Sequence, residues 1–223
     1  MPTGRHFVFD LDGTLVDSLP GIALAVCRAL ERMGRRVPPA HEVRGMIGLG
    51  SKHLCARALG YEGVQHAPLS LMDELHEHFS REYPTCWQGA GTTPFPGIPE
   101  LLARLAAAGG HMAVLSNKPH EVTLPLVQAV FPEVAFDFIM GYTGQFPRKP
   151  APDALLHLAQ VWGVPCREVL LVGDSTYDAR TAQAAGCRLA LVDWGYARTE
   201  ELAQYGAPLV SSPAQLEACL GLA

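Results

Sequence analysis

The chain has 223 residues, 48% of them hydrophobic and 17% charged, with a formal net charge of −5. That length suits one sizeable α/β domain or a core with a small insert, and the acidic balance argues against a general nucleic-acid surface. No run approaches the roughly 18 apolar residues of a membrane span. The six cysteines are scattered with no Cys-x-x-Cys pair. With no signal peptide recognised before them, they are expected to be reduced thiols in a cytoplasm rather than a disulfide framework.

Residues 6–9 read as the first strand, an apolar and aromatic run that ends at Asp10-Leu11-Asp12-Gly13-Thr14. Gly13 lets the backbone turn away at once. From residue 17 the pattern becomes helical, with Ile22, Ala25, Val26, Ala29, Leu30 and Met33 on one face and Ser18 as the expected N-cap. Gly34 and Pro38-Pro39 stop that helix. Further helices are expected near 40–47, 51–60 and 69–83, with no strand between 17 and 90. The stretch 84–97, with three Pro and three Gly, reads as a return linker.

After it, alternation begins. Strands are expected at 112–115, 136–140, 169–172 and 189–192. Helices are expected at 100–108, 121–130, 153–162 and 178–185, with helical material near Glu200 and Ala214. Strand–helix alternation implies an α/β fold, a parallel sheet covered on both faces. In such sheets ligands bind outside the carboxyl ends of the strands.

Those ends carry a distinctive set. Asp10 and Asp12 follow the first strand, Ser116-Asn117-Lys118 the second, and Gly173-Asp174-Ser175 a later one, with Asp178 close behind. Lys149 precedes the helix at 153. Several carboxylates on one buried edge repel each other and need a cation. Oxygen donors without His or Cys suit Mg²⁺, which also seeks phosphate oxygens. Ser116, Asn117 and Lys149 complement the oxygens of a transferring phosphoryl group. One carboxylate can then act as nucleophile, and its neighbour as general acid and base.

These four motifs, in order along nearly the whole chain, resemble the haloacid dehalogenase superfamily of phosphotransferases. The resemblance implies a Rossmann-like three-layer core, residues 1–16 and 85–223, with an inserted α-helical cap at 17–84. It makes Asp10 nucleophile and metal ligand. Asp12 becomes general acid and base, with its backbone carbonyl on the metal. Asp174 is the third metal contact. Lys149 and Ser116 bind the phosphoryl oxygens, Thr14 orients the acid pair, and Asp178 holds Lys149 or a metal-bound water. Lys118 is read as an ordinary surface lysine. Mg²⁺ is the implied cofactor.

In this superfamily an insert after the first motif is a mobile cap that confers specificity. Gly48 and Gly50, ahead of a helix near Ser51, with Lys52 beside them, suit an anionic group. That segment and the overall layout are similar to phosphoglycolate phosphatases. The expectation is a Mg²⁺-dependent phosphatase acting on a small phosphorylated metabolite, with no nucleic-acid or membrane partner, as a monomer or homodimer. The alternatives are a sugar-phosphate mutase of the β-phosphoglucomutase type and a non-catalytic module on the same fold. A phosphonate-cleaving relative would use a lysine such as Lys52, but that group and the dehalogenases lack the acid found here at Asp12. His76 and His78 are read as solvated, and Trp194 as a packing residue.

Overall fold

The structure, a computed structural model, describes residues 6–89 and 91–221. Its elements begin β1 (His6–Phe9), β2 (Val16–Asp17), α1 (Leu19–Arg32), α2 (Ala40–Arg44), α3 (Ser51–Ala58), α4 (Leu69–Gly89) and β3 (Thr93–Pro94). They continue α5 (Ile98–Ala107), β4 (His111–Pro119), α6 (His120–Val130), β5 (Phe138–Tyr142), α7 (Asp153–Trp162), a 3₁₀ turn at Cys166–Glu168 and β6 (Val169–Gly173). Last come α8 (Thr176–Ala185), β7 (Arg188–Val192), α9 (Thr199–Ala203), β8 (Leu209–Val210) and α10 (Pro213–Leu220). Among the described residues no helix is long and apolar enough to cross a membrane. All six cysteines are free thiols.

The chain divides into two compact units, Met1–Val16 with Pro94–Ala223, and Asp17–Thr93. Residues 1–5 and 222–223, expected in the core, lie outside the described residues.

The first unit is a six-stranded parallel sheet in the order β5-β4-β1-β6-β7-β8 with helices packed on it. β1 lies between β4 and β6, with Phe7 opposite Met112 and Leu170. Every residue of β1 and β6 is buried, as strands covered on both faces require. Val8, Leu115 and Leu171 pack with Leu155 and Leu158 of α7. β8 is an extra edge strand where only helical material was expected. β4 runs on to Pro119, so Ser116, Asn117 and Lys118 belong to the strand rather than to a loop after it. Gly163 and Gly186 end α7 and α8 in the left-handed conformation, the usual role of glycine there.

The second unit is helical. α1 packs on α4, and Ile22, Val26, Ala29 and Leu30 of the first and Met72, Leu75, Phe79 and Tyr83 of the second are buried. Both sets follow helical spacing. The linker expected from Pro84 is instead the last turn and a half of α4, which contains that proline. Buried Tyr83, Cys86 and Trp87 flank it, so packing outweighs the proline's cost. Ser18 holds the N-cap position of α1 without making a side-chain cap bond. The carboxylate of Asp17 accepts from Leu19 N instead, at 3.1 Å.

Candidate active site

The acid edge begins where β1 stops. Asp10 N donates to Val172 O at 2.9 Å, which keeps Asp10 on the ladder between β1 and β6. Beyond it the chain folds into a tight turn: Leu15 N and Val16 N both donate to Leu11 O, and Gly13 N donates to Val16 O. Gly13 adopts φ +89°, a conformation that favours glycine. Its missing side chain matters twice, because a Cβ there would lie 2.2 Å from Asp174 Oδ2. Gly195 leaves the same clearance on the Asp174 carboxylate, with a Cβ at 2.2 Å from Asp174 Cβ. Two glycines therefore cradle one acid.

Asp174 follows β6. Its Oδ2 accepts from Tyr196 N at 2.6 Å and its Oδ1 from Thr14 Oγ1 at 3.4 Å. Thr14 thus steadies Asp174 across the sheet edge, a correction to the expectation that it orients the acid pair. Trp194 packs on Phe95 with ring centroids 6.3 Å apart, and its Nε1 donates to Thr14 O at 3.2 Å. The residues 194–196 after β7 are therefore a part of the site that sequence reading did not assign. The only signal for them was Gly195 beside an aromatic pair at a strand end.

Lys149 is the centre of charge. Its Nζ lies 2.7 Å from Asp10 Oδ1 and donates to Asp178 Oδ1 at 2.6 Å. Asp178 sits in the first turn of α8 in a capping box with Ser175, where its Oδ2 accepts from Ser175 N at 3.1 Å and from Ser175 Oγ at 2.6 Å. Asn117 takes a role different from the expected phosphoryl donor. Its Oδ1 accepts from Lys149 N at 2.8 Å and its Nδ2 donates to Lys149 O at 3.0 Å. It therefore fixes the backbone of the lysine. Ser116 Oγ accepts from Lys118 N at 3.2 Å, which leaves its own proton to donate elsewhere.

Lys118 is not a surface lysine. It is 7% exposed, and its Nζ lies 2.9 Å from Asp12 Oδ2. Four carboxylates, Asp10, Asp12, Asp174 and Asp178, thus share one edge with two lysines, a formal excess of two negative charges. Burial, reinforced by Asp178 and Asp12 and only partly opposed by Lys149, pushes Asp10 up to about 7. Burial and then the charges of Asp10 and Asp178 raise Asp174 well above the ordinary carboxylate range. Burial works to lower Lys149, but Asp10 and Asp178 overcome it and hold the ammonium above its usual value. The acids are therefore the under-compensated partners.

One carboxylate oxygen each from Asp10, Asp174 and Asp178 lie within 4.8 Å of one another. Buried hard oxygen donors with uncompensated negative charge fit Mg²⁺. Asp178 already spends both oxygens on Lys149 and Ser175, so Asp10 and Asp174 are the better placed of the three.

In the second unit, Gly48 and Gly50 have φ of +126° and +88°, and Gly50 immediately precedes α3 without a side-chain cap. Lys52 Nζ forms an exposed ion pair with Asp73 Oδ1 at 2.9 Å. His76 is half-buried and its Nε2 lies 2.8 Å from Ser51 Oγ, so it is engaged with α3 rather than solvated.

A chain with this fold has clear counterparts among known proteins. The chain belongs to the haloacid dehalogenase-like hydrolases, a family that matches residues 7–192. A phosphoglycolate phosphatase from Yersinia pestis is 38% identical over 201 residues, 89% of this chain and 85% of the relative. A solved structure described as a predicted phosphoglycolate phosphatase, from Haemophilus somnus 129PT, superposes with a TM-score of 0.89 at 27% identity, covering 98% of this chain and 99% of that one. CbbY from Rhodobacter sphaeroides, solved in complex with phosphate, gives 0.79 at 28% identity, over 95% and 96%. Within the family, then, this protein is a phosphatase similar to the phosphoglycolate phosphatases.

Proposed function

We propose that the protein hydrolyses a small phosphorylated carboxylic acid of the phosphoglycolate kind through a phosphoaspartate on Asp10, with Mg²⁺ bound. The observation that carries this reading is the buried set of Asp10 after β1, Asp174 after β6, Asp178 in the first turn of α8 and Lys149 ahead of α7. Asp10, Asp174 and the backbone carbonyl of Asp12 would hold Mg²⁺, which when bound would supply the charge that keeps both carboxylates ionised and offsets that of the phosphoryl oxygens. An oxygen of Asp10 attacks phosphorus as the bond to the leaving oxygen breaks. Asp12 gives that oxygen its proton, then takes one from the water that cleaves the phosphoaspartate and releases inorganic phosphate. Lys149 and the Ser116 hydroxyl hold phosphoryl oxygens, with Lys149 itself positioned by Asn117 and Asp178.

Lys118 positions the Asp12 carboxylate. The helical unit serves as the cap, with Gly48, Gly50 and Lys52 as its anion-facing segment. The reading also takes the protein as a cytoplasmic monomer or homodimer with a small metabolite as partner, in keeping with its acidic charge and free thiols.

Replacing the nucleophile tests the reading. Asp10→Asn should abolish release of phosphate and the acid-stable label left on the protein by a ³²P-labelled substrate. Steady turnover by this variant would overturn the covalent route. A phosphorylated sugar as product, in place of free phosphate, would instead make the enzyme a mutase.

A further inference from the structure

Beside the acid edge, the first unit contains a recess of about 220 Å³ bordered by Ser116, His120, Tyr142, Phe146, Arg148 and Lys149. Hydrolysis as described above uses only the Ser116 and Lys149 side of it. The remaining wall carries Arg148, which has no carboxylate partner among the described residues. Arg148 has its guanidinium carbon 3.3 Å from the centroid of the Tyr142 ring. Its Nε is buried with no hydrogen-bond partner among the described residues. Burial lowers its pKa, and it is Tyr142 rather than a carboxylate that opposes this. A buried donor left unpaired has lost its water without a replacement, so such a group marks a place where a ligand can repay the loss.

A second donor faces the same recess from α6. His120 Nδ1 accepts from Gly141 N at 3.3 Å, which puts the ring proton of the neutral tautomer on Nε2. The wall is built to close tolerance. A Cβ on Gly141 would lie 2.5 Å from Thr123 Oγ1 and 2.6 Å from His120 Cα, so only glycine lets β5 approach α6 this closely.

We propose that this recess holds the non-reacting carboxylate of the substrate, with Arg148 and His120 as its donors and Tyr142 supporting the guanidinium. The core then selects for an acidic substrate in addition to performing the chemistry. A guanidinium fork matches a carboxylate better than an ammonium would. The volume suits a short acid chain next to the phosphoryl position held by Ser116 and Lys149. The assignment of this ligand as part of the substrate rests on the phosphatase reading.

The test compares phosphoglycolate with p-nitrophenyl phosphate, which has no carboxylate. Arg148→Met keeps the bulk of the side chain without its donors. His120→Asn keeps an acceptor for Gly141 N, and its shorter amide does not reach the position of the Nε2 donor. Each variant should lower the ratio of kcat/KM for phosphoglycolate to that for p-nitrophenyl phosphate, Arg148→Met by about tenfold or more, mainly through KM. Calorimetric titration with glycolate supplies a readout independent of turnover, and its binding should weaken by a similar factor in both variants. An unchanged ratio in both, alongside Mg²⁺-dependent hydrolysis of p-nitrophenyl phosphate, would overturn the recess and leave the phosphatase reading standing. Glycolate binding lost in the variants of a protein that hydrolyses neither ester would sustain the recess and overturn the phosphatase reading. Glycolate that binds wild type and variants alike, or binds neither, counts against the recess.

Discussion

Lys149 in the core unit and Lys52 in the helical unit make the same contact on paper. Each ammonium lies close to a carboxylate oxygen, 2.7 Å for Lys149 with Asp10 and 2.9 Å for Lys52 with Asp73. Their surroundings differ. The side chains of Lys149 and Asp10 are 4% and 11% exposed, whereas those of Lys52 and Asp73 are 54% and 53% exposed. Water screens the second pair and competes for both of its charges, so its worth is about 0–1 kcal/mol. The first pair has lost that water, and each partner depends on the other. The same difference separates the acid edge as a whole from the other surface pairs of the helical unit, such as Arg36 with Glu42. Distance identifies an ion pair, and burial decides whether it can carry chemistry.

The largest effect expected from this difference is on Lys149→Met. The substitution leaves Asp10 and Asp178 buried without their shared cation. Breaking a buried pair on one side costs about 3–5 kcal/mol, and urea unfolding of the Mg²⁺-free protein at pH 8 should show a loss of that order. At pH 5 the loss should shrink, because the stranded carboxylates can take up protons. A loss below about 1 kcal/mol at pH 8 would place Lys149 in the same class as Lys52.

A second test uses Asp10 itself. Its pKa of about 7 in the fold stands against 3.8 for an ordinary aspartate. Between those values the folded protein keeps a proton that the unfolded chain releases. The stability contributed by that proton is complete below pH 4 and is lost as pH rises through 7. In EDTA, wild type should therefore lose stability between pH 5 and 8 relative to Asp10→Asn, by on the order of a few kcal/mol. Mg²⁺ should restore it at pH 8, and should bind more tightly as pH rises because it displaces protons from Asp10 and Asp174. Parallel pH profiles for wild type and variant would mean that Asp10 is ionised without help from a metal.

Burial also explains what could be read from the chain and what could not. β1, β4, β6 and β7 were legible because strands buried on both faces are written as unbroken apolar runs. β8 has two residues and no such run. The acids and Lys149 were legible because each follows or precedes an element at a fixed place, and sheet topology brings those places together. Lys118 was misread for the converse reason. Its neighbours suggest a strand end in solvent, and a lysine carries no mark of its own burial. Only the extension of β4 to Pro119 and the Asp12 carboxylate opposite account for it. The partners of Thr14 and Asn117, 160 and 32 residues away, were hidden for a similar reason, since hydroxyls and amides accept many partners. In α4, Pro84 signals a stop, but the apolar residues around it bury enough surface to carry the helix past.

The smallest stability effect expected is at Lys52, and it separates two roles that the lysine could have. Lys52→Ala removes one partner of an exposed pair, so it should change the urea midpoint by less than about 1 kcal/mol at low salt and by nothing measurable at high salt. An ammonium that contributes little to the fold is available to a ligand at little cost, since leaving Asp73 in water is cheap. If the helical unit reads the acid end of the substrate, Lys52→Ala should raise KM for phosphoglycolate more than for p-nitrophenyl phosphate while the melting curve barely moves. Equal changes in KM would return Lys52 to an ordinary solvated charge. That result would leave the selection of an acidic substrate to Arg148 and His120 of the core, whose half-buried donors are less screened by water than the exposed Lys52 ammonium.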